Sequence, residues 1–198
     1  MVIRAYEGPA KGLEMMQRAL SSRQHQGTTF STPLGGTPQT GSPVPVYHLS
    51  LDHIADANPL ASVTLTNWQY PVMGGVRPGL ADIRQDANGT ATEFGGLSHG
   101  ILAQRFIEAC YLADRALAAA SEEYKPRLLD VPALQFAALW LYSTPGHEQF
   151  IPLLEGSPPG SAALKIVPEI VSLLRTRAGN RRPPNIIPSG GGAPSPTN

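Results

Sequence analysis

Residues 124–154 read YKPRLLDVPALQFAALWLYSTPGHEQFIPLL and carry the densest apolar and aromatic content of the chain. Two apolar runs, 134–142 and 149–154, flank the breaker cluster Ser-Thr-Pro-Gly at 143–146, which is typical of a hairpin with a longer loop. The short first run favours a strand, although its Leu, Ala and Gln residues leave a helix open. We therefore predict a hairpin at the centre of a sheet, with Pro152 suited to an edge strand.

Three segments before this hairpin also have strand patterns. Residues 44–51 alternate polar and apolar side chains, and residues 61–73 are rich in β-branched and aromatic residues. Farther along, Asn88 and Gly89 separate residues 80–85 from 90–94. Because Asn-Gly is the preferred pair for a type I′ turn, this third segment is predicted to be a second hairpin.

Helical spacing of apolar residues is clearest at 98–122, where Ser98 is a suitable N-cap. Residues 161–179 predict a shorter helix with Pro168 in its first turn. Residues 10–20 predict a short amphipathic helix, either detached or laid back on the fold. Together these elements predict an α+β fold, whose mostly antiparallel sheet is covered on one face by one long helix.

The domain organisation follows from composition. Residues 1–43 are predicted to hold the short helix and a flexible linker rich in Pro, Gly, Ser and Thr. Residues 44–179 form a single α+β domain in this interpretation. Residues 180–198, which contain five prolines and a glycine run, are predicted to be a disordered tail.

Charge and cysteine content exclude several classes of function. The 198 residues include 15 basic and 15 acidic side chains, so the formal net charge is zero and no global field attracts nucleic acid. A neutral chain favours self-association or a protein partner instead. The single cysteine, Cys110, excludes an internal disulfide framework and a thiolate zinc site.

The location is predicted from the same features. The N-terminal residues carry charges throughout and lack the uninterrupted apolar core of an export signal. No window approaches the roughly 18 apolar residues of a membrane span. A soluble, cytoplasmic protein is the resulting expectation.

Candidate catalytic and metal-ligating residues do not form a recognisable motif. Cys110 lies on the apolar stripe of the predicted long helix, and His99 on the same helix is roughly 16 Å away at 1.5 Å per residue. His48, Asp52, His53 and Asp56 are close in sequence, but their spacing matches no defined ligand set. We therefore predict no catalytic residue, no metal and no cofactor, and favour a protein that is not an enzyme.

Basic residues concentrate near the C-terminus, at Lys165, Arg175, Arg177, Arg181 and Arg182. Such a cluster can neutralise phosphates, but few aromatic residues accompany it for base stacking. The sequence therefore does not favour nucleic-acid binding, and a solvated helix end is the simpler interpretation.

Aromatic residues provide the remaining candidate site. Most aromatic side chains on strands pack in the core, but a row left outside the sheet would be an interface or ligand patch. The sequence nominates an aromatic-lined groove, and its candidate partner- or ligand-binding residues are Trp68, Tyr70, Phe136, Trp140 and Tyr142. Arg127 is a further candidate, because a pocket that holds it with His48, His53 or His99 would favour binding of a ligand.

The function predicted from the sequence is a non-enzymatic interaction or assembly protein, acting on a protein partner or on a second copy of itself. A well-patterned core without a catalytic constellation motivates this hypothesis. The alternative is a small-molecule or peptide binding domain, with catalysis left open and a pocket between the long helix and the sheet.

Overall fold

The computed structural model describes residues 3–26, 39–74, 77–154 and 164–181. Within these ranges the α helices are α1 (Gly12–Gln26), α2 (Ile101–Ala116) and α3 (Val167–Gly179). The strands are β1 (Gln39–Thr40), β2 (Val44–His48), β3 (Thr64–Met73), β4 (Gly79–Gln85), β5 (Ala91–Ser98), β6 (Lys125–Val131), β7 (Phe136–Tyr142), β8 (Gln149–Pro152) and β9 (Lys165–Ile166).

All nine of these strands join one sheet, in the order β5-β4-β3-β2-β6-β7-β8-β9, with β1 pairing to β3 outside that path. Every pairing is antiparallel except that of β2 with β6, where Val46 lies opposite Leu128. The fold is therefore α+β with a mostly antiparallel sheet, and this prediction is confirmed.

The hairpin at 134–154 is confirmed as β7 and β8, with Trp140 opposite Phe150. Its position is different from the prediction, because the middle of the sheet is the parallel pair β2 and β6. The pattern did not predict β6, since Lys125, Pro126 and Asp130 interrupt its apolar run. Pro152 pairs with Ala138 of β7 and lies past the residues of β8 that pair with β9. Its missing N–H therefore removes no hydrogen bond between β8 and β9.

The hairpin of β4 and β5 is also confirmed, but its predicted type I′ turn is wrong. Gly89 has a φ of 76°, whereas Asn88 has a negative φ. The Asp86 carboxylate accepts hydrogen bonds from the N–H groups of Asn88 and Thr90, both at 2.9 Å. This side-chain cap stabilises a loop longer than a two-residue turn. The Asp86 N–H donates to the Thr90 carbonyl at 2.9 Å and closes the loop.

The helix predicted at 98–122 is shorter in the structure. Ser98 is not its N-cap but the last residue of β5, where its hydroxyl donates to the Leu80 carbonyl. Gly100 takes the N-cap position instead. α2 has 16 residues and α1 has 15, so these two helices are nearly equal in length. Pro168 lies in the first turn of α3, as predicted.

Helices cover both faces of the sheet. On the first face, α2 buries Phe106, Ala109 and Ala113 in one cluster with Val46 and Leu128. The second face is shared by two helices, which the sequence does not predict. Met16 and Leu20 of α1 pack with Trp68 and Tyr70, and Ile170 and Leu174 of α3 pack with Phe136 and Trp140.

The second face matters for function because α1 and α3 cover its two ends. Pro45, opposite Trp68, and Tyr47, level with Leu129, point to this same face by strand alternation. Leu129 packs in the cluster of α3, and Trp68 packs in the cluster of α1. The middle of the face, over β2 and β6, lies between the two helical covers.

The N-terminal helix lies back on the fold, since Met16 and Leu20 are buried against the sheet. The central part of the predicted linker, 27–38, and most of the predicted tail, 182–198, lie outside the described residues. None of the helices in the described ranges is long and apolar enough to cross a membrane.

Gly8 has a left-handed backbone conformation in the N-terminal segment and leads to the first prediction. Its φ is 78°, and an added Cβ would lie 2.7 Å from Pro43 Cγ and 2.8 Å from the Tyr70 hydroxyl. Gly146 is a matched control, with a φ of 92° and no atom within 4 Å of that position. Both alanine variants incur backbone strain, but Gly8→Ala also overpacks a filled site.

We therefore expect Gly8→Ala to lower the free energy of unfolding by about 2 kcal/mol more than Gly146→Ala. Urea unfolding followed by circular dichroism measures both variants. Equal losses would show that the N-terminal segment does not pack as described.

Candidate functional site

Arg127 occupies the middle of the second sheet face, between the covers of α1 and α3. Strand register places it opposite Trp140, with Lys125 opposite Tyr142 on the same face. The parallel neighbour β2 contributes Tyr47, which is level with Leu129 and therefore two positions from Arg127 on the same face. We call this group the Arg127 cluster, and its members are Tyr6, Tyr47, Lys125, Arg127, Trp140 and Tyr142.

Aromatic rings surround the Arg127 guanidinium. Its carbon lies 3.5 Å from the ring centroid of Tyr142 and 4.9 Å from those of Tyr47 and Trp140. A guanidinium at these distances is attracted by the negative faces of the rings. Trp140 in turn stacks on Phe150 at 5.8 Å, so the cluster is fixed on the hydrophobic core below it.

Tyr6 adds a hydroxyl from the N-terminal segment. This segment is tied to the sheet by the Arg4 N–H, which donates to the Tyr124 carbonyl at 2.8 Å. Arg127 Nε donates to the Tyr6 hydroxyl oxygen at 2.8 Å. Burial raises the pKa of Tyr6, even though Arg127 acts in the opposite direction, so the hydroxyl keeps its proton at neutral pH.

Several donors of the cluster lack an acceptor within the part of the chain that the structure describes. Arg127 forms no ion pair with a carboxylate there, and only its Nε has a hydrogen-bond partner. Trp140 is 3% exposed, and its buried Nε1 has no partner in these ranges. The Arg127 guanidinium therefore offers positive charge and N–H groups to an acceptor that these residues do not supply, whereas the N–H of Trp140 is buried.

A pocket of about 410 Å³ adjoins the cluster at Lys125 and Tyr142. Its other lining residues are Glu122, Glu123, Ser143 and Thr144. His147 Nδ1 lies 2.7 Å from Glu122 Oε1, and the Tyr124 and Ser143 hydroxyls donate to Oε2. The hydrogen bond with His147 makes the largest contribution to lowering the pKa of Glu122, and the two hydroxyls lower this pKa further. The carboxylate is therefore kept charged.

The structure brings together three of the residues nominated from the sequence, Arg127, Trp140 and Tyr142. Trp68 lies at the border of the cluster, with its ring centroid 5.7 Å from that of Tyr6. Tyr70 and Phe136 are 1% and 0% exposed and pack inside separate hydrophobic clusters. We leave these two residues out of the candidate site.

Sequence reasoning did not nominate Tyr6, Tyr47 or Lys125. Tyr47 lies on a correctly predicted strand, but the parallel pairing that sets it beside Arg127 joins distant segments. Lys125 alternates with Arg127 on one strand face, so recognition of β6 as a strand would have identified it. Tyr6 belongs to an irregular segment without a pattern to place it.

Of the earlier candidates for chemistry, Cys110 has a packing role and His53 belongs to a local surface pair. Cys110 packs against the cluster under α2, where burial and the Asp114 carboxylate raise the pKa of its thiol to about 12. His53 Nδ1 lies 3.0 Å from Asp56 Oδ2 in an exposed pair. Over the described ranges, no group of three or more His, Cys, Asp or Glu residues is arranged to hold a metal ion.

The C-terminal basic residues are partly engaged in the fold. Arg175 donates to the carbonyls of Ile54 and Asp56, and the Arg177 guanidinium lies 5.2 Å from the Phe136 ring centroid. A second pocket, of about 600 Å³, is lined by Arg177, Arg181 and the loop after β6. It adjoins the C-terminus of α3, whose dipole disfavours an anion, so it is a weaker candidate than the Arg127 cluster.

Comparison with known proteins adds no relative. No family model matches the sequence, and neither a curated protein nor a solved structure matches it significantly. The functional inference therefore depends on the geometry of the Arg127 cluster.

Proposed function

We propose that this chain is a non-enzymatic binding protein that docks an anionic segment of a partner protein on the Arg127 cluster. One observation supports this most strongly. A half-buried guanidinium is held by three aromatic rings, yet no carboxylate from the described ranges pairs with it. A partner's carboxylate or phosphate would supply the missing charge-assisted hydrogen bonds.

The residue types of the cluster support an interface. Arg, Tyr and Trp dominate the binding energy of protein interfaces because they combine large contact area with directed polar groups. Lys125 adds a second positive charge on the same face, 5.8 Å from the Tyr6 ring centroid. Rings and cations, rather than a nucleophile with its base, surround Arg127, which supports binding without catalysis.

A small-molecule or peptide ligand is the second candidate function. The pocket of about 410 Å³ beside Tyr142 is within the size range of ligand sites, roughly 300–1,000 Å³. The sequence analysis expected a pocket between the long helix, α2, and the sheet, and the proposal moves the ligand site to the pocket beside Tyr142. Under α2, Ala103, Phe106 and Ala109 pack against the sheet in one hydrophobic cluster.

Self-association is supported by a different feature, the end strand β5. Within the described residues β4 is the one strand that pairs with β5, and the Ala91 N–H at the start of β5 donates to the Ala10 carbonyl at 2.9 Å. The outer edge of β5 beyond Ala91 presents backbone groups to a further strand. Two register shifts in the β4–β5 ladder bend this edge. Because such bulges protect edges from pairing, β5 supports assembly less strongly than Arg127 supports binding of an anion.

A cytoplasmic location remains part of the proposal. The single cysteine supports it, because proteins of reducing compartments do not depend on disulfides.

The test is an array of short random peptides, each synthesised in an acidic form and again with Asp and Glu replaced by Asn and Gln. We expect the full chain to bind acidic members preferentially, and Arg127→Met to lose this preference by about tenfold in affinity. Arg84→Met is the matched control, since Arg84 is an exposed arginine paired with Glu93 on an edge hairpin. Binding that is indifferent to peptide charge or to Arg127 would contradict the proposal.

A further inference from the structure

The N-terminal segment, residues 3–10, crosses the second sheet face and passes over the candidate site. Backbone hydrogen bonds fix it at its two ends. At one end the Arg4 N–H donates to the Tyr124 carbonyl at 2.8 Å, just before β6. At the other end the Ala10 N–H donates to the Gly89 carbonyl at 3.0 Å, in the hairpin of β4 and β5. Because β2 and β3 lie between β6 and β4, the segment spans the middle of the sheet.

Tyr6 is the side chain that connects the middle of this segment to the Arg127 cluster. Within the described chain, the backbone of residues 5–8 forms no hydrogen bond with the strands, and both sequence neighbours of Tyr6 are exposed. The Tyr6 ring packs edge-on against Trp68 at 5.7 Å, and its hydroxyl accepts from Arg127 Nε at 2.8 Å. Segments with exposed backbone and few buried contacts open locally at a low free-energy cost. The closed position of the segment therefore depends on Tyr6.

The Tyr6 hydroxyl holds Arg127 without neutralising its charge. A hydroxyl oxygen accepts one hydrogen bond, and the guanidinium keeps its positive charge for an anion. Burial raises the pKa of Tyr6, so the hydroxyl stays neutral at neutral pH and does not repel that anion. An arginine that is held at one nitrogen has already lost side-chain freedom, which lowers the entropic cost of binding. Tyr6 therefore favours binding of an anion at Arg127.

We propose that closure of the N-terminal segment and binding of the anion are coupled, with Tyr6 as the positioning residue that joins them. The inference rests on the proposed function, because it adds regulation to the same site. When the segment is closed, Tyr6 holds Arg127 in place and the anion binds more tightly. By linkage, a bound anion holds the segment closed by the same factor. Occupancy of the cluster is thereby transmitted to the segment that precedes α1.

The first measurement is the affinity of the full chain for a hexaglutamate peptide, with hexaglutamine as the neutral reference. Tyr6→Phe keeps the ring and removes the hydroxyl, and we expect it to weaken hexaglutamate binding about fivefold. Tyr111→Phe is the matched control, because Tyr111 is 62% exposed on α2, which covers the first face. It should leave the affinity unchanged. The thermal stability of each sample confirms that the variants are folded.

The second measurement is hydrogen exchange of the Arg4 amide, followed by nuclear magnetic resonance, because this N–H bonds to Tyr124 in the closed segment. Saturating hexaglutamate should slow the exchange by the same factor, about fivefold, in the wild type. The peptide should not change it in Tyr6→Phe. The Asp86 amide, which bonds to Thr90 in a distant hairpin loop, is the reference and should not respond. A merely structural role of Tyr6 would not make the Arg4 amide respond to the peptide.

The other outcomes separate the coupling from the proposed function. Suppose that hexaglutamate binding is lost in Arg127→Met, but the affinity of Tyr6→Phe or the exchange of the Arg4 amide is unchanged. The coupling would then be overturned, and anion recognition by Arg127 would stand. Tighter binding by Tyr6→Phe, or faster Arg4 exchange with the peptide, would show that Tyr6 competes with the anion and would also overturn the coupling. No preference for hexaglutamate over hexaglutamine, or a preference that survives Arg127→Met, would overturn both proposals.

Discussion

Replacing Leu139 by alanine is expected to lower the free energy of unfolding by about 3 kcal/mol. Leu139 is 0% exposed and lies on β7 between Leu128 of β6 and Ile151 of β8. Its side chain belongs to the cluster that α2 covers. The truncation removes buried apolar surface and leaves a cavity that the surrounding strands cannot close, so both losses add.

Urea unfolding monitored by circular dichroism measures this loss. Leu65→Ala is the control, because Leu65 is 37% exposed on β3 and should change the stability by no more than about 0.5 kcal/mol. Similar losses in the two variants would contradict the packing of α2 on the centre of the sheet.

Replacing Arg127 by lysine is expected to weaken binding of acidic peptides by about tenfold or more, although the charge is kept. Lysine presents a point charge and cannot donate to Tyr6 and to two ligand oxygens from one plane. The variant should remain folded, because the cation–π contacts and the hydrogen bond to Tyr6 are each worth about 1 kcal/mol.

The measurement is the affinity for an acidic peptide selected from the array, beside the thermal stability of the same sample. Arg84→Lys serves as the control and should leave the affinity unchanged. If Arg127→Lys bound the peptide as wild type does, charge alone would account for recognition, and the planar geometry of the cluster would have no role.

Local pattern was sufficient to predict much of the fold. The hairpin around 143–146 and the hairpin around Gly89 follow from turn residues between apolar runs, and Pro168 marks the start of α3. These features depend on neighbouring residues and are visible in one sequence. The type of the turn at Gly89 could not be predicted in this way, because the Asp86 carboxylate caps two N–H groups and overrides the preference of Asn-Gly.

The middle of the sheet was beyond local pattern. β6 contains Lys125, Pro126, Arg127 and Asp130, which resemble loop residues until the strand is placed between β2 and β7. Its adjacent residues Leu128 and Leu129 face opposite sides of the sheet, and both are buried because helices cover both faces. The parallel pairing with β2 depends on tertiary packing that one sequence does not display.

The candidate site was predictable only in part for the same reason. Trp140 and Tyr142 share a strand face by alternation, so an aromatic patch follows from sequence. The hydrogen-bond partner of Arg127 could not be predicted from the sequence, because Tyr6 lies 121 positions away in the chain. A contact over that separation is set by how the N-terminal segment crosses the sheet.

The most direct test of anion binding by the Arg127 cluster follows the Nε–H resonance of Arg127 in the full chain by nuclear magnetic resonance. Benzoate, a small carboxylate, is added during the measurement. We predict a saturable shift of this resonance, with little change at the exposed control Arg84. A shift at both arginines that grows in proportion to concentration, or no shift at Arg127, would contradict an anion-binding role for the cluster.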